Sequence, residues 1–171
     1  MLTREELEKS PLFQGISYES YCAMLHCFQA VQKSFRPDEL IYDFTMPTNN
    51  AVGIVERGSA SLIRIDEEGV STVMEELGAG GVFGRTLAFA TSNGDSLEVI
   101  CRTPCDVLFI DYPHILKRCE RACTHHSLLV QNMLRLMSDK AQALSERVDV
   151  LSHGRITGEV ETAQADKDLI V

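Results

Sequence analysis

Residues 51–69 read AVGIVERGSASLIRIDEEG, and residues 78–84 read GAGGVFG. In the first stretch a β-branched run ends at Gly58. A partly alternating run then carries Ala60, Leu62, Ile63 and Ile65, and Glu67-Glu68-Gly69 marks a turn. Further short runs of strand type occupy residues 40–42, 70–77, 97–102 and 105–112, again separated by turn residues. Many short strands punctuated by glycine predict a sandwich or barrel. Strand–helix–strand alternation is missing, which argues against a doubly wound parallel sheet.

Outward from this centre the pattern turns helical on both sides. Toward the N-terminus, residues 4–33 read as mostly helical, with Pro11 just past a first short helix. Over residues 17–32, Tyr21, Met24, Leu25, Phe28 and Val31 recur at separations of 3 and 4, which is one helix face. Residues 113–152 read as a long helix. Val130, Leu134, Met137, Ala141, Leu144, Val148 and Leu151 form a heptad stripe, with Arg135, Asp139, Lys140, Glu146 and Arg147 beside it. A narrow apolar stripe flanked by charges predicts a two-stranded dimer seam. Residues 153–171 show no sustained period and read as a frayed or disordered tail. The expected organisation is therefore residues 1–112 for the helices and sheet, 113–152 for the dimer helix, and 153–171 for the tail.

The 171 residues are 44% hydrophobic and 24% charged, values of an ordinary globular domain. No apolar run approaches the roughly 20 residues that span a bilayer, and MLTREELEKS lacks the apolar core of a secretory signal. Six cysteines without an export signal predict reduced thiols and a cytoplasmic protein. The net charge is −9. A chain so acidic is repelled by a phosphate backbone, and Lys117, Arg118 and Arg121 read as a solvated face rather than a DNA-binding patch.

LEKSPLFQGIS at 7–17, IVERGSASLIRIDEEG at 54–69, GAGGVFGRTLAFATSNGDSLEVICRTPCDVLFID at 78–111 and the heptad helix stand in this order along residues 5–155. Together they resemble the effector domain of the Crp–Fnr family of bacterial transcription regulators. The resemblance implies a mainly β fold with flanking helices: a double-stranded β-helix, the jelly-roll or cupin-like β-roll, followed by a long C-terminal dimerisation helix. It places Gly58 and Gly69 at two turns. It also implies an effector site between the GAGGVFG turn and the inner face of the dimer helix, built from Gly84, Arg85, Thr86, Leu87, Asp95 and Ser96.

Two departures shape the functional expectation. Nucleotide-binding members of the family read FGE, with the Glu on the ribose, and place an Arg ten residues further on the cyclic phosphate. Here those places hold Arg85 and Asp95. Both charges are inverted, so cyclic AMP is disfavoured and no cofactor is predicted. The two inverted residues can pair with each other and shut the site, or they can serve a different ligand. The second departure follows residues 151–156. These resemble the connection into the family's helix-turn-helix, which needs roughly another 60 residues to build a core, and they are followed by a short tail. DNA contact is thus expected only through a domain that is missing here.

Cys119, Cys123 and His126, at i, i+4 and i+7 of a helix, are weak candidates for a metal site. Cys22 and Cys27 read as helix core. Cys101 and Cys105 bracket Thr103-Pro104, where they can face each other across a hairpin. Cupin enzymes need clustered histidines on barrel strands, and residues 51–112 contain no histidine. The expectation is a non-enzymatic, homodimeric sensor domain for an unidentified small effector. The alternative is a stand-alone small-molecule-binding or relict dimeric β-roll without DNA binding.

Overall fold

The computed structural model describes residues 1–85, 94–117 and 123–142. The chain divides into two compact units, residues 1–137 and 138–171. Of the second, the described part is the helical stretch 138–142.

Thr3 starts α1 (Arg4–Lys9) with a capping box: its hydroxyl accepts from the Glu6 amide, and the Glu6 carboxylate accepts from the Thr3 amide. A 3-10 turn, Pro11–Phe13, leads to α2 (Tyr18–Cys27), capped by Ser17. The helix predicted for 17–32 ends early. Phe28 is its C-cap, Gln29 takes a φ of 51°, and Val31–Phe35 forms β1 instead. Pairing with β6 (Ser96–Asp111) claims these residues, and Val31, counted on the helix face by its spacing, is 53% exposed. Cys27 is exposed as well, so only Cys22 of that pair packs against the core.

The sheet is antiparallel, in the order β1-β6-β3-β4. Its two long members are β3 (Ala51–Ile65) and β6. The free edge of β6 takes β1 along 105–109 and β2 (Leu40–Asp43) along 98–100. The free edge of β3 takes β5 (Val82–Gly84) along 52–54 and β4 (Ser71–Leu77) along 60–65. The mainly β fold with flanking helices is as expected. The strand breaks are not. Gly58 is no turn, and residues 97–102 and 105–112 are not separate strands. Each long strand runs on through a bulge where the register slips between Val55 and Ala60. Gly58 sits there with a φ of 83°, and a Cβ on it would lie 2.3 Å from the Pro104 carbonyl oxygen.

Two apolar clusters lie on opposite faces of these strands. Val52, Ile54, Leu108 and Ile110 join the helices, while Val55, Ala60, Cys101, Cys105 and Val107 line the inside of the curl with Tyr42, Phe83 and Val99. The buried Glu56 ties the first layer together. It accepts hydrogen bonds from Tyr21 and Gln32 and faces the Met1 ammonium at 3.2 Å.

The C-terminal helix is not continuous from 113. The short α3 (Tyr112–Leu116) stops at Lys117, which is extended, and helix resumes as α4 over residues 124–142. Ile115, Leu129, Met133 and Leu136 bury into the same cluster as α1 and α2, so the first unit runs well past residue 112. Asn132 donates to the Leu12 and Gln14 carbonyl oxygens at 3.1 and 2.8 Å, fixing α4 to the N-terminal turn. The expected helix over 143–152 and the tail 153–171 lie outside the described residues. Among the described residues, no helix is long and apolar enough to cross a membrane.

Gly58→Ala adds a left-handed backbone penalty and a clash with Pro104 and Cys105, and should lower stability by about 2–4 kcal/mol. Gly69 has nearly the same φ, 82°, but open space around its missing Cβ. Gly69→Ala should therefore cost only about 1 kcal/mol. Urea denaturation of the two variants reads the difference.

Candidate functional site

Among the described residues, β1, β2, the 43–50 loop and the end of β6 line a cleft of about 490 Å³. Phe35, Tyr42 and Phe109 line it and belong to one chain of aromatic rings. Phe44 packs edge-on against Tyr42, Tyr42 on Phe83, Phe83 on Phe109 and Phe109 on Phe35, with centroid distances of 4.8 to 6.3 Å. Gly53 makes room for this chain, since a Cβ there would lie 2.2 Å from the Phe83 ring. The rim is polar: Gln29, Lys33, Thr48, Asn49, Asn50 and Asp111. The Lys33 ammonium stands 5.6 Å over the Phe109 ring.

Tyr42 joins this cleft to the segment singled out by sequence. Its hydroxyl donates to the Asn49 carbonyl oxygen at 2.8 Å and accepts from the Arg85 amide at 3.3 Å. Burial pushes its pKa up, so the phenol stays neutral and keeps both roles. Asn49 in turn donates to the Asp43 carbonyl oxygen, and Asp43 receives the amide and hydroxyl of Thr45. The 43–50 loop that walls the cleft is thereby held by its own side chains.

The predicted site residues separate. Gly84 is buried in β5, and Ser96 opens β6 opposite Ile65. The expected Arg85–Asp95 pair does not form. The exposed Arg85 guanidinium donates to the Pro47 carbonyl oxygen at 3.4 Å, whereas Asp95, its side chain 8% exposed, lies 3.7 Å from Arg64 Nε. Strand register is the cause: Arg64 stands opposite Leu97, and Asp95, two residues before Leu97, is its diagonal neighbour on the same face. The Arg64 Nε is itself buried without a hydrogen-bond acceptor among the described residues. Thr86 and Leu87 lie outside the described residues.

Of the candidate metal ligands, Cys123 and His126 are among the described residues. Cys123 precedes α4, Cys119 lies outside the described residues, and His126 is committed elsewhere. Its Nε2 is hydrogen-bonded to the Ile115 carbonyl oxygen and its ring packs edge-on against Phe28. Arg118 and Arg121 also lie outside the described residues.

The seam residues divide in an informative way. On α4 the buried positions are Leu129, Asn132, Met133 and Leu136. Of the heptad stripe, Val130, Met137 and Ala141 are half-buried and Leu134 is 59% exposed. The helix therefore has two apolar faces, one spent on its own core. Leu144, Val148 and Leu151 lie outside the described residues. Sequence reasoning missed Lys33, Asn49, Asn50 and Asp111. Lys33 is in the middle of β1, Asn49 and Asn50 are in the loop before β3 and Asp111 ends β6, and nothing in their spacing shows that they converge.

The cyclic nucleotide-binding domain profile matches residues 32–122. A comparison with curated proteins returns no match. Among solved structures, the catabolite activator protein of Thermus thermophilus superposes with a TM-score of 0.65 at 21% identity. The match covers 84% of this chain and 63% of that one. A CooA variant from Carboxydothermus hydrogenoformans gives 0.58 at 15% identity, over 94% and 99% of the two chains. The N-terminal domain of a transcriptional regulator from Streptomyces coelicolor A3(2) gives 0.53 at 11%, over 84% and 94%. This chain thus spans less than two thirds of the Thermus protein. The bent antiparallel roll, the glycine-rich turn into β5 and the match over residues 32–122 agree: the chain belongs to the cyclic nucleotide-binding domain family.

Proposed function

We propose that this chain is the sensing and dimerising part of a Crp/Fnr-type transcription regulator, that its effector is a small molecule other than an ordinary cyclic nucleotide, and that it acts by binding rather than catalysis in the cytoplasm. The observation that carries the choice of effector is Asp95. It is a nearly buried carboxylate beside Arg64, at the place where the Crp–Fnr resemblance calls for a cation on the cyclic phosphate. A phosphate brought there meets a negative charge, and the Arg64 guanidinium is already ion-paired with that same carboxylate. Each such mismatch costs about 1–3 kcal/mol in a partly buried site. The aromatic lining and polar rim of the cleft favour an effector with a flat apolar body and polar edges.

Dimerisation is supported by the two-faced α4. A helix that buries Leu129, Met133 and Leu136 in its own domain and still carries Leu134 at 59% exposure has a second apolar stripe to cover. A copy of the same helix covers it with matching spacing. Relay to DNA would run through a helix-turn-helix beyond these residues.

Calorimetry with cyclic AMP and cyclic GMP tests the effector. The expected result is no binding tighter than a dissociation constant of about 10 μM, or roughly −7 kcal/mol; a tighter constant overturns the reading. The double variant Arg85→Glu with Asp95→Arg sets two guanidiniums, at 64 and 95, beside the phosphate position. It should gain at least about tenfold in affinity, or about 1.4 kcal/mol. Sedimentation tests the seam. The chain should be a dimer at micromolar concentration, and Leu134→Asp should shift it to monomer without unfolding it, since the position is exposed within the protomer.

A further inference from the structure

The bulge that bends β6 brings two thiols together inside the roll. Cys101 Sγ and Cys105 Sγ are 3.2 Å apart, and both residues are buried, at 0% and 1% exposure. A sulfur–sulfur bond is about 2.05 Å long, so closing it asks for a movement of little more than an ångström. Residues four apart in a regular strand lie more than about 13 Å from each other. Only the bulge makes the approach. The register steps from Arg57 opposite Asp106 to Ser59 opposite Thr103, then to Ala60 opposite Cys101. Pro104 has no amide to give the ladder. Gly58 supplies the space, because a Cβ on it would lie 2.8 Å from the Cys105 Cβ.

We propose that Cys101 and Cys105 are a redox pair, which a hydroperoxide converts to an intrachain disulfide. One thiolate attacks the peroxide O–O bond and gives a sulfenic acid and hydroxide. The neighbouring thiol then displaces the sulfenic oxygen as water, and the S–S bond forms. Two thiols and one hydroperoxide become one disulfide and two oxygen-bearing leaving groups, water and, for hydrogen peroxide, a second water. Two electrons pass from the sulfurs to the peroxide.

The surroundings set how the pair reacts. Burial pushes the Cys105 thiol up to about 12, so this sulfur is almost never a thiolate at neutral pH in the closed fold. Access lies through the tip above the pair, where Arg102, Thr103 and Pro104 are all exposed. The tip is held by Thr103, whose hydroxyl accepts from the Ser59 amide at 2.9 Å and shares a 3.1 Å hydrogen bond with the Ser59 hydroxyl. Cys101 Sγ also donates to the Thr103 carbonyl oxygen at 2.9 Å. Oxidation therefore waits on the tip lifting and is slow. Once a sulfenic acid forms, its partner thiol is adjacent and captures it before further oxidation.

The sequence supplies a clean readout. Trypsin cuts after Arg85, Arg102 and Lys117, leaving peptides 86–102 and 103–117 with one cysteine each. After hydrogen peroxide treatment of the intact chain, blocking with N-ethylmaleimide and non-reducing digestion, these two peptides should appear joined, two hydrogens lighter than their sum, and separate with dithiothreitol. In Cys101→Ser the remaining Cys105 has no neighbour to capture its sulfenic acid and should proceed to sulfinic acid under the same treatment. Cys27→Ser, which changes an exposed thiol, should leave the link intact. Recovery of both cysteines as maleimide adducts, under conditions that oxidise the exposed Cys27, overturns the proposal. So does sulfinic acid at either position of the wild type without a link, or a link from either cysteine to any other. The wild-type measurement stands by itself should Cys101→Ser fail to fold.

Discussion

The bend that β3 and β6 share at Gly58 and Pro104 sets where every other strand can lie. Each long strand presents one free edge, and each edge accepts two short partners, one on either side of the bend. Without the bend these partners would be collinear extensions of a flat ribbon. With it, β1 and β5 attach to one wing and β2 and β4 to the other, and the ribbon curls around Tyr42, Phe83 and Val107. The requirement is strict at one backbone position. Gly58 must hold a φ of 83° within van der Waals reach of the Pro104 carbonyl, where an L side chain has neither the conformation nor the room.

The same bulge explains which parts of the fold the sequence discloses. Before Gly58 the inward position on β3 is odd, at Val55; after it the inward positions are even, at Ala60 and Leu62. A period of two cannot be followed across that shift, so one strand reads as two with a turn between them. Thr103-Pro104 produces the same misreading on β6. What survives is anything local and repeated: the β-rich middle, the turn at 66–69, the Pro11 stop and the glycine-rich entry to β5. The helix predicted over 17–32 fails at its end for a related reason. Val31 has the right spacing for the helix face, but its pairing with Phe109 depends on a residue 78 positions away.

The candidate site was legible in its charges and not in its contacts. Arg85 and Asp95 stand out by their distance in sequence from a familiar motif, and that distance says nothing about which neighbour each one meets. Asp95 faces Arg64 because of strand register, and Arg85 meets Pro47 because the 43–50 loop folds under Tyr42. The cleft residues Lys33, Asn49 and Asp111 come from three separate elements, and only the curl of the sheet assembles them. Similarly, the heptad stripe identified an apolar face on α4, while the second face, with Leu129, Asn132 and Met133, becomes visible only through what it touches.

Those two faces of α4 and the two faces of the long strands make one layered system. Val52, Ile54, Leu108 and Ile110 point toward the cluster that takes in Leu129, Met133 and Leu136; their neighbours Val55, Val107 and Phe109 point into the roll. The wall between chamber and helix is thus a single layer of backbone. A closely packed wall is stiff, and its inward and outward residues share one backbone. On the helix side the same cluster holds Leu129, which is fully buried. Asn132, one turn further on, anchors α4 to the carbonyls of Leu12 and Gln14, which fixes this part of the helix to the N-terminal turn. The relay proposed for this chain needs only such a wall: residues facing the roll and residues facing the helix alternate along the same strands, so no residue has to touch both.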